Sequence, residues 1–343
     1  MADKKPDPTP VLQNGVGLDI GTMNLVAARK DADGVVTTRM RDVFLDIPVS
    51  TSARKMLKLS DMSYVEREDA IIVLGDAAME LANVFGKTPR RPLSAGLISP
   101  DEMDSLEVLQ MLISKVLGKP RVADEVCYFS VPAEPIDQDR DVIYHRGVFE
   151  NIVASCGFKP IPANEAMGII FSETSKDGFS GLAMSFGSGM VNVALSISTI
   201  EGLSFSVARG GDWIDTGAAK STGSTQARIC AIKEKGVNLT DPKGRDQQAI
   251  VFYYEAMITY VLDQIEERFN AIRGKFDLPR AIPLIVSGGT SKAEGFMEFF
   301  TAVFEKKRGR FPIEISEIRH ASDPLNSVAY GLLVQAMQEY DDG

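Results

Sequence analysis

The stretch LAMSFGSGMVNVALSIS, residues 182–198, reads as a strand, a glycine-rich turn and a second strand. Small residues at Gly187-Ser188-Gly189 permit a turn tight enough for several backbone N–H groups to converge on one anion. A second stretch of the same layout, VGLDIGTMNLVAAR at 16–29, carries Asp19 where the first carries Ser185. Residues 182–198 are therefore a phosphate clamp, a weakened clamp or only a tight hairpin, and the rest of the chain must decide which.

Working outward, residues 15–19 and 24–30 form a hairpin around the turn IGTM, and strand-like pieces continue over 35–47. Residues 48–95 are mixed and polar, with a strand at Ala70–Leu74 and a helical GDAAMELANVF. Ser99-Pro100-Asp101-Glu102 has the form of a capping box, with Ser at the N-cap, Pro at the first helical position and Glu three residues on. It predicts a helix that buries Met103, Leu106, Leu109, Ile113 and Val116 and stops at Gly118. A strand, Glu125–Val131, follows. The next helix carries Ile143, Phe149, Ile152, Val153 and Cys156 on one face and ends at Gly157.

A similar order then begins again. A helix at Ala166–Glu173 leads to the hairpin 181–198 and to strand-like SFSVARGG, 204–211. A long helix is expected from Asp246 to Arg273, with Ile250, Tyr254, Met257, Val261, Ile265 and Phe269 at helical spacing. PLIVSGG, 283–289, is a buried strand running into a Gly-Gly turn before another helix, and Asp323-Pro324 introduces a last helix, Asn326–Gln338. Two matched hairpins, each heading a similar series, predict an internal duplication, with two α/β domains facing each other across a ligand cleft.

Composition agrees with that size and excludes several classes. A chain of 343 residues is long for one core, so two domains are expected. A net charge of −10, with no basic stripe to offset it, argues against direct nucleic-acid or anionic-membrane binding. The one basic cluster, Lys306 to Arg310, reads as a solvated helix end. Three widely spaced cysteines (Cys127, Cys156, Cys230) fit reduced thiols in a cytoplasmic protein. The opening MADKKPDPTPVLQN lacks an apolar core and is expected to be a flexible lead, not a signal peptide.

Each glycine turn alone is a weak signal: DIGTMN (19–24), FGSGM (186–190) and SGGT (287–290) all occur as plain turns. Their combination, in this order and spacing, resembles the actin-like ATPases, the superfamily that also holds heat-shock chaperone ATPases and sugar kinases. Asp19, Gly21, Thr22 and Asn24 match the first phosphate motif; Gly187, Ser188 and Gly189 match the second; Ser287-Gly288-Gly289-Thr290 matches the adenosine motif. Asn164-Glu165-Ala166-Met167 resembles the helix start that carries the catalytic acid or amide, and 323–331 resembles the final connecting helix. Within the superfamily, GTMN, the segment 86–113 and GGDWID (210–215) resemble the bacterial actins of the MreB and MamK type.

The resemblance implies an actin-like ATPase fold of two duplicated, ribonuclease H-like α/β domains. After a lead at 1–14, residues 15–165 with 323–343 would form domain I, with 36–95 as its small subdomain. Residues 166–322 would form domain II, with 216–246 as its small subdomain. It also implies roles. Gly21, Thr22, Met23 and Asn24 would cradle phosphates of ATP or ADP from one side, and Gly187, Ser188 and Gly189, with Ser185 and Met190, from the other. Asp19 would hold Mg²⁺ through water, and Glu165 would orient the attacking water. Gly288, Gly289 and Thr290, with Gly211, Asp212 and Lys233, would flank the nucleoside; a solvated helix lysine is the plainer reading of Lys233.

Two positions depart from the superfamily pattern: Ser185 stands where an aspartate is usual, and Met190 where a threonine is. The expected function is an ATP-binding actin-like protein that polymerises with itself into cytoskeletal filaments, with slow hydrolysis. Cargo or membrane-associated adaptor proteins are further expected partners, placing it in the cytoplasm or at the inner face of the membrane. The alternative is a non-hydrolysing nucleotide-binding scaffold, in which a Ser185→Asp change would gain activity. A small-molecule kinase is disfavoured, because the sequence shows no substrate-binding insert.

Overall fold

The computed structural model describes residues 13–272 and 281–341. The side chain of Met103, and Arg273 at the expected end of the long helix, lie outside that description, as do residues 1–12 of the lead. Among the described residues no helix is long and apolar enough to cross a membrane.

The first half contains β1 (Val16–Ile20), β2 (Asn24–Asp31), β3 (Gly34–Arg41), β4 (Phe44–Pro48), α1 (Thr51–Leu59), β5 (Tyr64–Glu66), β6 (Ala70–Leu74) and α2 (Asp76–Phe85). It continues through β7 (Leu93–Ser94), β8 (Leu97–Ile98), α3 (Leu106–Leu117), β9 (Glu125–Val131), α4 (Val142–Ser155), β10 (Phe158–Asn164) and α5 (Glu165–Glu173). The second half contains β11 (Gly181–Phe186), β12 (Val191–Ile197), β13 (Ile200–Val207), α6 (Gly211–Thr222), α7 (Gln226–Lys235) and α8 (Gly244–Ile272). It ends with β14 (Ile282–Ser287), α9 (Phe296–Glu305), β15 (Ile315–His320) and α10 (Ser327–Asp341).

Two five-stranded sheets share one topology. The first runs β3-β2-β1-β9-β10 and the second β13-β12-β11-β14-β15. In each, three antiparallel strands are followed by two parallel ones, which require crossover connections. The central strands β11 and β14 are buried along their whole length, hence their largely apolar composition, broken only by Ser185 in β11 and Ser287 at the end of β14. A third sheet, β4-β6-β5, packs with α1 and α2 around its own core, which includes Leu45, Leu57, Ile71, Val73 and Leu81.

The helices α5 and α10 follow the last strand of each sheet and pack on each other. α5 sets Ala166, Ile169 and Ile170 against Ala183, Ala194 and Ile285 of the second sheet. α10 sets Ala329 and Leu333 against Val26 and Ala28 of the first. Small residues on the sheet faces let these helices come close: a Cβ on Gly17 of β1 would lie 2.1 Å from the carbonyl oxygen of Ala329.

Three local readings are corrected. The capping box at Ser99 does not form: Ser99 makes no side-chain cap, residues 100–105 make a 3₁₀ turn, and α3 begins at Leu106. The Glu102 carboxylate turns instead to Arg90, 3.0 Å from its Nε, and charge attraction outweighs a cap. Ile143, expected on the buried face of α4, is exposed, while Val142 and His145 take the inward positions. Finally, 158–164, for which the sequence predicts no element, is strand β10; its Pro160 and Pro162 are tolerated because β10 is an edge strand.

Candidate functional site

The hairpin quoted at the outset has a geometric twin. In β1/β2 Asp19 stands opposite Val26 and Ile20 opposite Leu25; in β11/β12 Ser185 stands opposite Asn192 and Phe186 opposite Val191. A four-residue turn closes each pair, its first glycine donating its N–H to the fourth carbonyl: Gly21 to Asn24 at 3.0 Å, Gly187 to Met190 at 2.9 Å. Asp19 and Ser185 are thus equivalent positions of one repeated device. The tips meet. A Cβ on Gly189 would lie 2.4 Å from Thr22 Oγ1 and 2.4 Å from the Gly96 nitrogen, so this approach requires glycine.

The second turn is held from behind. At the start of α6, the amides of Gly211 and Asp212 donate to the carbonyls of Gly187 and Ser188 at 3.0 and 2.8 Å. Thr290 Oγ1 also donates to the Gly187 carbonyl at 2.8 Å, and the Tyr254 hydroxyl donates to the Thr290 carbonyl at 3.1 Å. Gly288, at φ +94°, has no room for a side chain: its Cβ would lie 2.4 Å from the Phe186 carbonyl oxygen. SGGT is thereby locked against FGSG, about a hundred residues earlier in the chain.

Two acids stand beside the turns. Asp19 accepts a hydrogen bond from Ser130 Oγ at 3.0 Å, and the same oxygen accepts from the Ile20 amide at 2.7 Å. Burial pushes the Asp19 carboxyl up, and the Ser130 bond offsets this only in part. Glu165 opens α5, where Asn164 caps the helix by accepting from the amides of Ala166 and Met167 at 2.9 and 3.4 Å. Burial raises its carboxyl first and the charge of Asp19 second, while hydrogen bonding from Ser185 works the other way. Asn192 Nδ2 donates to Glu165 Oε2 at 2.8 Å.

Charged side chains link the two sides of the cleft. Arg91 grips Asp212 at 2.9 Å, and Arg41 reaches Glu234 at 3.5 Å. Lys233 Nζ is tied at 2.8 Å to both the Gly211 carbonyl and Asp215 Oδ2, so it is a half-buried, bonded lysine and not a solvated one. Met190 is buried and packs into the apolar core of the first half beside Leu93, Leu97 and Val131.

Together these groups line a cavity of about 690 Å³. Asp19, Gly21, Thr22, Met23, Asn24, Glu165, Ser185, Gly187, Ser188, Gly189, Met190, Asp212, Lys233, Gly288, Gly289 and Thr290 all reach it. Gly211 does not; it braces the second turn from outside the lining. Ser188 Oγ is buried without a hydrogen-bond partner, a donor that the protein itself leaves unused. The sequence reading missed Asn192, Arg91 and Asp215. The signal for Asn192 was a lone amide in the apolar strand VNVALSI; Arg91 and Asp215 lie within the stretches 86–113 and GGDWID, which drew attention as whole segments and not to these residues.

Comparison with known proteins places the architecture. A family model described as volactin matches residues 15–336. No curated protein matches the chain. A MamK double helical filament structure aligns with TM-score 0.73 at 17% identity, covering 94% of this chain and 98% of that one. MreB 5 of Spiroplasma citri bound to AMPPNP aligns with TM-score 0.66 at 17% identity, covering 97% and 99%. The ethanolamine utilization protein EutJ from Carboxydothermus hydrogenoformans aligns with TM-score 0.55 at 15% identity, covering 97% and 92%. At these identities the likeness shows the fold, and the fold is that of the actin-like ATPases.

Proposed function

The chain belongs to the volactin family, and on that premise we propose that it binds ATP with Mg²⁺ in the cleft, hydrolyses it slowly and assembles with copies of itself into filaments. The observation that carries this reading is the pair of equivalent turns meeting over two half-buried acids, Asp19 and Glu165. Amides of Thr22 to Asn24 on one side and of Ser188 and Gly189 on the other bind phosphate oxygens, and the Ser188 hydroxyl gains a partner. Gly288 to Thr290 seat the nucleoside against backbone, with Lys233 and Asp212 at the flank.

Two half-buried carboxylates whose charge is disfavoured by desolvation fit a divalent cation, and a single carboxylate acting through water suits Mg²⁺. Asp19 is that carboxylate. When bound, the ion supplies positive charge against the phosphate oxygens. Glu165 orients a water whose oxygen bonds to the γ-phosphorus while the bond from phosphorus to the bridging oxygen breaks. ADP and inorganic phosphate leave, and the proton of the water passes to solvent.

We assign residues 15–165 with 323–343 to one domain and 166–322 to the other, so that the cleft closes between them. Closed subunits stack head to tail, a contact that does not close on itself and so extends. Cargo or adaptor proteins then bind the polymer. A second reading, a non-hydrolysing scaffold, draws on Ser185, which supplies no charge at the position equivalent to Asp19.

Sedimentation with and without ATP and Mg²⁺, with phosphate release followed in parallel, tests both readings. Pelleting that depends on ATP, with slow phosphate release, is expected. Pelleting with no phosphate release selects the scaffold, and a protein that stays in the supernatant at high concentration overturns the filament.

A further inference from the structure

Asn192 is 1% exposed and its side chain is used at both ends. The Ala133 amide, just beyond β9 in the first half, donates to Asn192 Oδ1 at 3.1 Å. Because a backbone N–H can only donate, it fixes which end of the Asn192 amide is oxygen, so Nδ2 faces Glu165 Oε2 as a donor at 2.8 Å. Glu165 therefore hangs from the second hairpin through a side chain oriented by the first half of the chain. Ser185 lies directly opposite Asn192 in the ladder, on the same face of the hairpin, is itself 1% exposed, and lines the same cavity as Glu165, whose charged form it favours.

From this geometry we infer that Asn192 is the positioning residue for Glu165, and that Ser185 is its companion donor and not a damaged metal ligand. The inference rests on the proposed hydrolysis. In the first hairpin, the position of Asn192 is filled by Val26 and that of Ser185 by Asp19. The repeated device has thus been specialised: one copy supplies the carboxylate, the other supplies neutral donors. A carboxylate at the buried position 185 places a third acid beside Asp19 and Glu165 and displaces a donor, so it harms the site that it is expected to repair.

The test uses the full chain with four variants: Asn192→Asp, which keeps the shape and removes the donor, Asn192→Ser, Ser185→Asp and Ser185→Ala. Steady-state phosphate release gives kcat and KM, titration with AMPPNP gives affinity without turnover, and thermal melting with AMPPNP shows that each variant is folded. Asn192→Asp and Asn192→Ser are expected to lower kcat by about 10- to 100-fold with KM and AMPPNP affinity within about threefold of wild type. Ser185→Asp is expected to fall at least as far, and Ser185→Ala less.

Normal kcat in a folded Asn192→Asp, or a gain of kcat in Ser185→Asp, overturns the inference and leaves nucleotide binding standing. Equal losses of kcat and AMPPNP affinity also overturn it, because they mark a merely structural role. Wild type that binds AMPPNP without turning over ATP removes the reaction for which Glu165 is positioned, and overturns it too. Wild type that binds no AMPPNP refutes the functional reading itself.

Discussion

A Cβ on Gly331 would lie 1.7 Å from the carbonyl oxygen of Gly168, so α10 and α5 cross with their backbones in contact. Glu165 opens α5 one turn before that crossing, so the contact sets where the acid sits relative to the first sheet. The obstacle to a side chain here is backbone, which cannot rotate aside. Gly331→Ala is expected to cost about 3 kcal/mol, the upper end for overpacking. Urea denaturation checks it through a lower midpoint at unchanged m. A midpoint equal to that of wild type would mean that the two helices part freely.

Arg91 answers to two acids. It grips Asp212 across the cleft at 2.9 Å, and its charge is what opposes the effect of burial on Asp42. Asp42 is wholly buried, neither carboxylate oxygen has a hydrogen-bond partner, and burial pushes its carboxyl well above the usual range. Removing Arg91 thus costs an ion pair and strands a buried acid. Arg91→Ala should destabilise by about 1–3 kcal/mol, and Asp42→Asn in the same chain should restore part of that. A double-mutant cycle by denaturation is expected to give a coupling of about 0.5 kcal/mol or more; strict additivity contradicts it.

Met190 occupies the place where the resemblance leads one to expect threonine, yet its side chain is a core residue. It is 3% exposed, and a Cβ on Gly96 would lie 2.2 Å from its sulfur. Met190→Thr removes apolar volume and buries a hydroxyl, so it is expected to lower stability by about 1–3 kcal/mol and to leave AMPPNP affinity no better than wild type. Calorimetric melting and nucleotide titration together check both halves of that statement.

His145 makes stability depend on pH. It is buried in α4, accepts from the Ile98 amide at 3.3 Å through Nδ1, and has its ring centroid 4.6 Å from that of Phe149. Burial, and then the charge of Arg140, lower its pKa to about 3. The unfolded chain, with histidine near 6.5, therefore binds the proton more tightly than the folded chain between those values. Stability is full above pH 6.5 and falls as pH drops, by about 2 kcal/mol at pH 5 from this group alone. His145→Phe should flatten the urea midpoint against pH between 5 and 7, and an unchanged slope would assign the dependence elsewhere.

The hairpins, their glycines and the long helix were legible because each is a local pattern. Gly21 and Gly187 each close a turn within four residues, and the apolar positions of α8 recur every three or four. The Ser99 capping box was misread because Arg90, nine residues before it, competes for Glu102. β10 was missed because prolines speak against a strand until its edge position is known. Ile143 was misplaced because His145, a polar residue by type, occupies the inward face of α4.

By itself, the sequence determined that two glycine hairpins and a later Gly-Gly turn exist, since turn geometry depends on φ, ψ and side-chain size over a few residues. Asp19 and Glu165 were singled out by the resemblance to the actin-like ATPases, not by local spacing. Only the tertiary structure decided what surrounds those acids. Asn192 meets Glu165 from 27 residues away, and Arg91 meets Asp212 from 121 residues away. Such contacts follow from how the two sheets pack around α5 and α10, and no local spacing encodes them. The stretch LAMSFGSGMVNVALSIS is accordingly one turn of the cavity, whose strands line it with Ser185 and Asn192 and from which Asn192 donates to Glu165.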